Sequence, residues 1–315
     1  MKGKILVTDS LFIFDEHIKK LEAAGYEVER LDKPDASEDE LCEAIKDKVA
    51  YVLGGVERAT KKVIDSAPEL KVISFPGIGY QWLIPAWQYA MQKGILIGNT
   101  PDAPTHAAAE WSMMAALAMQ RGLFEIGRTG TKQFKTFQGI EKTKVGIYGL
   151  GRIGTEIIKL IKPFRPSDII YYSTRKHPEI EKDLGIRFQP EDTVLSTVDI
   201  LFICVPDAVG HNYFNDDRLS KLKNSALVVS ISHLGIININ DLDKALARGV
   251  RVANDDPWPE LLDKYGPEKL YTNLGHNAFN TFPELKLASD EAVDSLINLL
   301  EKGQDKYLVN PEYKK

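Results

Sequence analysis

Cysteine is scarce. The 315 residues contain only two, Cys42 in a charged helical segment and Cys204 in an apolar strand. Such a pair makes no disulfide framework and fits a reducing compartment, so a cytoplasmic protein is expected. Long apolar runs are missing too. No stretch approaches the roughly 20 residues that cross a bilayer, and residues 1–4 run straight into a strand, unlike a secretory leader. No long basic run occurs, and the net charge is −5. That balance argues against nucleic acid or an anionic membrane surface as partner. The six histidines are scattered and the cysteines do not cluster, so no metal site is expected. The remainder, 43% hydrophobic and 27% charged, is ordinary globular composition, long enough for two domains with sizeable cores.

What is present is an alternation of strand and helix signals. Strands are expected at 4–8, 26–31, 50–53, 70–74 and 95–97, with a helix at 16–24, one starting at 37–40 and one at 60–66 between them. Ser37 followed by Glu40 is a capping box that starts the second helix. Several strands end in turn residues: Gly54-Gly55, Pro76-Gly77-Ile78-Gly79 and Asn99-Thr100-Pro101. From 104 to 122 the chain is rich in Ala and Met and is expected to form one long helix leading to a second domain. A polar loop (131–141) follows, then strands at 145–148, 168–172, 200–205, 226–231 and 250–254, a helix at 241–248 and a last amphipathic helix at 283–303. Such alternation specifies parallel sheets covered on both faces.

The most informative stretch is Val145-Gly146-Ile147-Tyr148-Gly149-Leu150-Gly151-Arg152-Ile153-Gly154, followed by helical spacing from Glu156. Gly149, Gly151 and Gly154 form G-x-G-x-x-G directly after a strand. In that context the first glycine makes the turn, the second admits a pyrophosphate to bare backbone, and the third lets helix and strand pack closely. The helix N-terminus favours the phosphate charge. A dinucleotide is therefore the expected cofactor, against the plainer reading of a structural glycine turn. Its ribose end meets Tyr172-Ser173-Thr174-Arg175-Lys176, where an NAD site would carry an acid. Hydroxyls and cations suit a 2′-phosphate, so NADP is preferred, with NAD possible and Ser173, Thr174 and Arg175 as phosphate ligands. The plainer reading is a solvated basic turn.

A nicotinamide moves hydride, and the protein must then handle one proton. His276, after the strand-like 270–274, is the candidate acid/base, with Glu260 or Asp256 as its carboxylate partner. The alternative is a strand-capping histidine beside solvated charges. The turns Gly54-Gly55 and Gly77-Ile78-Gly79 either receive a substrate carboxylate on their amides or are simply tight.

These residues resemble the D-isomer-specific 2-hydroxyacid dehydrogenases over nearly the whole chain. The resemblance rests on Gly77-Ile78-Gly79-Tyr80, Gly94-Ile95 through Asn99-Thr100-Pro101, Ala109-Glu110, residues 146–154, Val205-Pro206, the helix 241–246 and His276. It implies a flavodoxin-like substrate domain (1–101 and 284–315) with an inserted Rossmann dinucleotide-binding domain (102–283), both doubly wound. It further implies a homodimer held through the cofactor domains and a small 2-oxo or 2-hydroxy acid as substrate. By carry-over, His276 is the acid/base and Glu260 its partner. Arg152, Ile153, Val205, Pro206 and Ile231 lie along the cofactor, Asp255 on its nicotinamide side. Gly55, Gly77, Ile78 and Gly79 face the substrate. Two departures stand out. His233 occupies the position of the family's substrate-binding arginine, and Gly275 replaces the proline before the histidine. A dinucleotide-binding regulator that has lost turnover, or an enzyme with a non-standard substrate, is the alternative that His233 raises.

Overall fold

The computed structural model describes residues 1–8, 13–33, 35–130, 134–273, 275 and 277–309. Two compact units result, one formed by Met1–Pro104 with Thr281–Lys315 and the other by Thr105–Asn280.

The first unit holds strands β1 (Lys4–Thr8), β2 (Glu27–Leu31), β3 (Lys48–Val52), β4 (Val72–Phe75) and β5 (Leu96–Asn99). They pair in parallel in the order β2-β1-β3-β4-β5, that of a flavodoxin-like doubly wound sheet. Helix Glu38–Ala44 begins on the expected capping box: the Glu40 amide donates to Ser37 Oγ and the Ser37 amide to Glu40 Oε2. The terminal helix Phe282–Lys302 packs back on this sheet. Ser74 Oγ donates to the Ala292 carbonyl at 2.8 Å, and a Cβ at Gly98 would lie 2.9 Å from Ser295 Oγ. Glycine there lets helix and strand approach.

The second unit holds β6 (Lys144–Tyr148), β7 (Asp168–Tyr172), β8 (Arg187–Phe188), β9 (Ile200–Ile203), β10 (Leu227–Ser230), β11 (Arg251–Asn254) and β12 (Leu270–Thr272). The order is β12-β11-β10-β9-β6-β7-β8, all parallel. The chain therefore winds outward in both directions from β6, and the switch lies between β6 and β9. Crevices at such switch points hold ligands. Apolar side chains cover both faces. Helix Arg152–Ile161 buries Ile157, Ile158 and Ile161 completely, each worth roughly 1.5–3 kcal/mol. No helix of the described residues is long and apolar enough to cross a membrane.

The helix expected at 104–122 is Thr105–Gln120, and a second, unexpected one follows it. Thr105–Gln120 ends, Gly122 adopts the left-handed region (φ 62°), and Leu123–Thr129 follows. A Cβ on Gly122 would stand 2.0 Å from the Phe137 ring, so only glycine fits this break. The short β8 and the helices Pro178–Leu184 and Glu191–Thr197 also lay outside the expected elements. Two residues of strand, or about two turns of helix, carry too little periodicity to read.

Candidate functional site

The three glycines after β6 divide their work as their spacing suggests. Gly149 has φ 100°, and a Cβ there would lie 2.6 Å from the Cys204 carbonyl oxygen. Its amide donates to the Tyr172 carbonyl at 2.8 Å, which fixes the turn against β7. A Cβ on Gly154 would sit 2.5 Å from the Gly149 carbonyl oxygen, so the helix can approach only as glycine. Gly151 differs: its extended backbone suits any residue, and an added Cβ would meet nothing within 4 Å. Gly151 is the N-cap of helix Arg152–Ile161 and offers it no side-chain cap. First-turn amides have no intrahelical acceptor. The result is bare backbone, open space and a positive helix end, which is what a pyrophosphate needs. The half-buried Ile153 and the exposed Arg152 flank it.

Beyond β7, the Ser173 hydroxyl donates to the Arg175 carbonyl and shapes the turn. Thr174, Arg175 and Lys176 are exposed, with the Lys176 ammonium 5.2 Å from the Phe188 ring centre. Below lies a network the sequence did not suggest. Arg218 Nε is 2.5 Å from Glu191 Oε1, the guanidinium lies 4.0 Å over the Tyr213 ring, and the Tyr148 hydroxyl donates to the same carboxylate. Burial, reinforced by Glu191, holds the Tyr148 phenol well above its ordinary range, so it stays a donor.

The ends of β9 and β10 are tied by Ser232, which accepts the Val205 amide at 3.0 Å and donates to the Val205 carbonyl at 2.8 Å. Val205 and Ile231 are half-buried and Pro206 is exposed. Burial pushes the Cys204 thiol up to about 12, so it is an uncharged wall rather than a nucleophile. His233 is exposed and opens the turn Leu234–Ile236. His211 packs on that turn: a Cβ on Gly235 would lie 2.4 Å from its Nδ1.

After β11, Asp255 and Asp256 are buried, at 1% and 6% exposure, whereas Glu260 is exposed in the first turn of helix Pro259–Tyr265. The Asp255 carboxylate accepts from Asn273 Nδ2 at 2.9 Å and from the amides of Asn277 and Ala278 at 3.2 and 2.8 Å. It thereby joins the end of β11 to the loop after β12. His276, expected in that loop, lies outside the described residues.

In the first unit the glycine turns share the carboxyl edge of the sheet. The Gly54 amide donates to Thr8 Oγ1 at 3.2 Å. The Thr100 amide donates to the Gly77 carbonyl at 3.0 Å, and Asn99 Nδ2 to the Ile78 carbonyl at 3.2 Å. A Cβ on Gly77 would strike the Phe75 ring, but one on Gly79 would meet nothing within 4 Å. Ile78 is exposed and Gly55 half-buried. Among the described residues, no three His, Cys, Asp or Glu side chains gather where they could hold a metal ion.

Residues 113–263 match the family described as D-isomer specific 2-hydroxyacid dehydrogenase, NAD binding domain. A glyoxylate reductase of Thermococcus onnurineus is 32% identical over 287 residues, covering 86% of this chain and 84% of that protein. A glyoxylate reductase of Pyrococcus furiosus is 30% identical over 319 residues, covering 96% and 91%. A solved structure from Thermus thermophilus shares the fold, with a TM-score of 0.85 at 22% identity over 97% of this chain and 99% of that one. The glycine cradle and the two doubly wound sheets agree with these relationships, and the chain belongs to the D-isomer-specific 2-hydroxyacid dehydrogenase family, oxidoreductases that act by hydride transfer.

Proposed function

We propose that the chain reduces a small 2-oxo acid of the glyoxylate or hydroxypyruvate kind to the D-2-hydroxy acid, with NADPH preferred over NADH. One observation carries the reading: Gly151 faces open space at an uncapped helix end, between two glycines that sterics alone explain. The relatives named glyoxylate reductase support the substrate class. The amides after Gly151 hold the pyrophosphate, and Ser173, Thr174 and Arg175 take the 2′-phosphate, since no acid stands there to repel it. Val205, Pro206 and Ile231 line the dinucleotide, and Asp255 borders its nicotinamide end. A bound reduced nicotinamide supplies the hydride.

The protein's own task is to orient the acid and deliver a proton. The glycine turns at Gly55 and at Gly77, Ile78 and Gly79 receive the substrate carboxylate on backbone amides. Protonated His276 donates to the carbonyl oxygen at C2, and a carboxylate beside it favours the imidazolium. Glu260 has the family's spacing, while the burial of Asp256 would make its charge act more strongly. His233 replaces a bidentate arginine grip with one short cationic contact. The unit containing β1–β5 is the substrate domain, the unit containing β6–β12 holds the dinucleotide and pairs with a second copy, and the free thiols of Cys42 and Cys204 suit the cytosol. Turnover of a panel of 2-oxo acids with NADPH and NADH tests the proposal. Tight dinucleotide binding without turnover of any would favour the regulator that His233 suggests.

A further inference from the structure

Glu57 lies just past the Gly54-Gly55 turn, and its carboxylate is buried at 3% exposure. No step above uses it. Its Oε1 accepts the Tyr51 hydroxyl at 2.8 Å and the Thr8 hydroxyl as well. Its Oε2 is buried with no hydrogen-bond partner among the described residues. A buried acceptor left unmade lowers stability, and an apolar residue of similar shape would avoid that loss. The group is therefore better explained by what Oε1 organises than by folding.

Proton bookkeeping shows what that is. A carboxylate only accepts, so both hydroxyls must point at it. Burial and the Glu57 charge hold the Tyr51 phenol far above its usual range, so it remains a donor. Thr8 has a single hydroxyl proton. Once given to Glu57, it leaves the oxygen's lone pairs for the Gly54 amide, at 3.2 Å. Without Glu57, the Tyr51 hydroxyl, 3.3 Å from Thr8 Oγ1, turns its proton onto one of the two Thr8 lone pairs. Thr8 is then free to donate to the Val52 carbonyl, also 3.3 Å away. The Thr8 oxygen keeps a lone pair for the Gly54 amide, but its hydroxyl is no longer held in one orientation, so the Gly54 peptide is no longer held in one direction.

We propose that Glu57 is a positioning residue for the reaction: acting through Thr8, it fixes the Gly54 peptide and so aims the Gly54-Gly55 backbone at the substrate carboxylate. This rests on the substrate role proposed for Gly55.

The test is steady-state kinetics of the full chain on glyoxylate at saturating NADPH, together with calorimetric binding of oxamate, a non-reacting mimic that reads affinity without turnover. Thr8→Val and Glu57→Leu should raise the glyoxylate KM and the oxamate Kd about tenfold, the effect of one charge-assisted hydrogen bond. Their kcat and NADPH Kd should stay within about twofold of the parent. Thr8→Ser and Glu57→Gln keep the hydroxyl and the Oε1 acceptor, and should restore affinity. The double variant Thr8→Val/Glu57→Leu should be no worse than Thr8→Val, because both cut one relay. Gly55→Ala separates the two ideas. If it raises KM while Thr8→Val does not, the Glu57 relay is refuted and the turn's substrate role stands. If Gly55→Ala leaves KM and oxamate binding unmoved, the substrate role fails and takes the relay with it. A parallel fall in kcat, NADPH affinity and Tm for Thr8→Val would mark a merely structural role and overturn the inference. Should Glu57→Leu not fold, the Thr8→Val and Thr8→Ser pair decides.

Discussion

Replacing Gly149, Gly151 and Gly154 one at a time by alanine should separate three roles that look alike in the sequence. At Gly149 the added Cβ meets backbone at 2.6 Å, and φ 100° is itself unfavourable for alanine. Strain of this kind costs about 1–3 kcal/mol, and the clash adds to it. With roughly 2–4 °C lost per kcal/mol, the melting of the apo protein should fall by about 6–12 °C for a total near 3 kcal/mol. Gly154→Ala meets the Gly149 carbonyl at 2.5 Å with an ordinary helical backbone, so overpacking alone acts, at about 1–3 kcal/mol. Gly151→Ala meets nothing, and the apo Tm should not fall. Its methyl group nevertheless occupies the approach to the first-turn amides. Losing one or two charge-assisted hydrogen bonds, at about 1.5–3 kcal/mol each, weakens a dinucleotide by about 10²-fold. Thermal melting without cofactor and fluorescence titration with NADPH read the two effects separately. The reasoning is refuted if Gly151→Ala binds NADPH within twofold of the parent, or if Gly149→Ala melts at the parent's temperature.

Four further outcomes follow from the same geometry. Arg175→Ala should lower kcat/KM with NADPH by about tenfold or more and leave NADH unchanged, since only the 2′-phosphate is lost; equal losses with both cofactors would count against the assignment. His233→Arg should lower the glyoxylate KM by about tenfold. Unchanged kinetics would mean the pocket serves another ligand. His276→Ala should reduce kcat by about 10²–10⁴-fold with cofactor affinity kept, and whichever of Glu260→Gln or Asp256→Asn shifts the pH–rate profile to lower pH identifies the partner carboxylate. Burial lifts the Cys204 thiol up to about 12, above its ordinary 9.0, so almost no thiolate exists at pH 8. The native protein should resist iodoacetamide at this half-buried residue, and denatured protein should react; rapid native labelling would contradict the raised thiol pKa.

Much of the fold was legible because buried parallel strands announce themselves. The runs at 145–148 and 200–203 are apolar throughout and end in turn residues, since both their faces are covered. Capping at Ser37 and Glu40 was legible because its partners are three residues apart. The helix Leu123–Thr129 was not, because seven residues carry too little periodicity to read, and the need for glycine before it comes from the ring of Phe137, outside that stretch. The signal for Ser232 was equally weak: a small polar residue among apolar ones, whose role depends on Val205 lying beside it.

By itself, then, the sequence determined the two-sheet class, the family and the glycine cradle, because each rests on spacing within one short stretch or on a pattern of apolar runs. Only the tertiary structure decided that Gly151, and neither of its neighbours, faces open space. It also separated the buried Asp256 from the exposed Glu260, and set Glu57 and Tyr148 at the centres of hydrogen-bonded networks. Thr8 and Glu57 are 49 residues apart, and Tyr148 and Glu191 are 43. Pairs at such separations share no periodicity; their chemistry exists only once the sheet has brought the strand ends together.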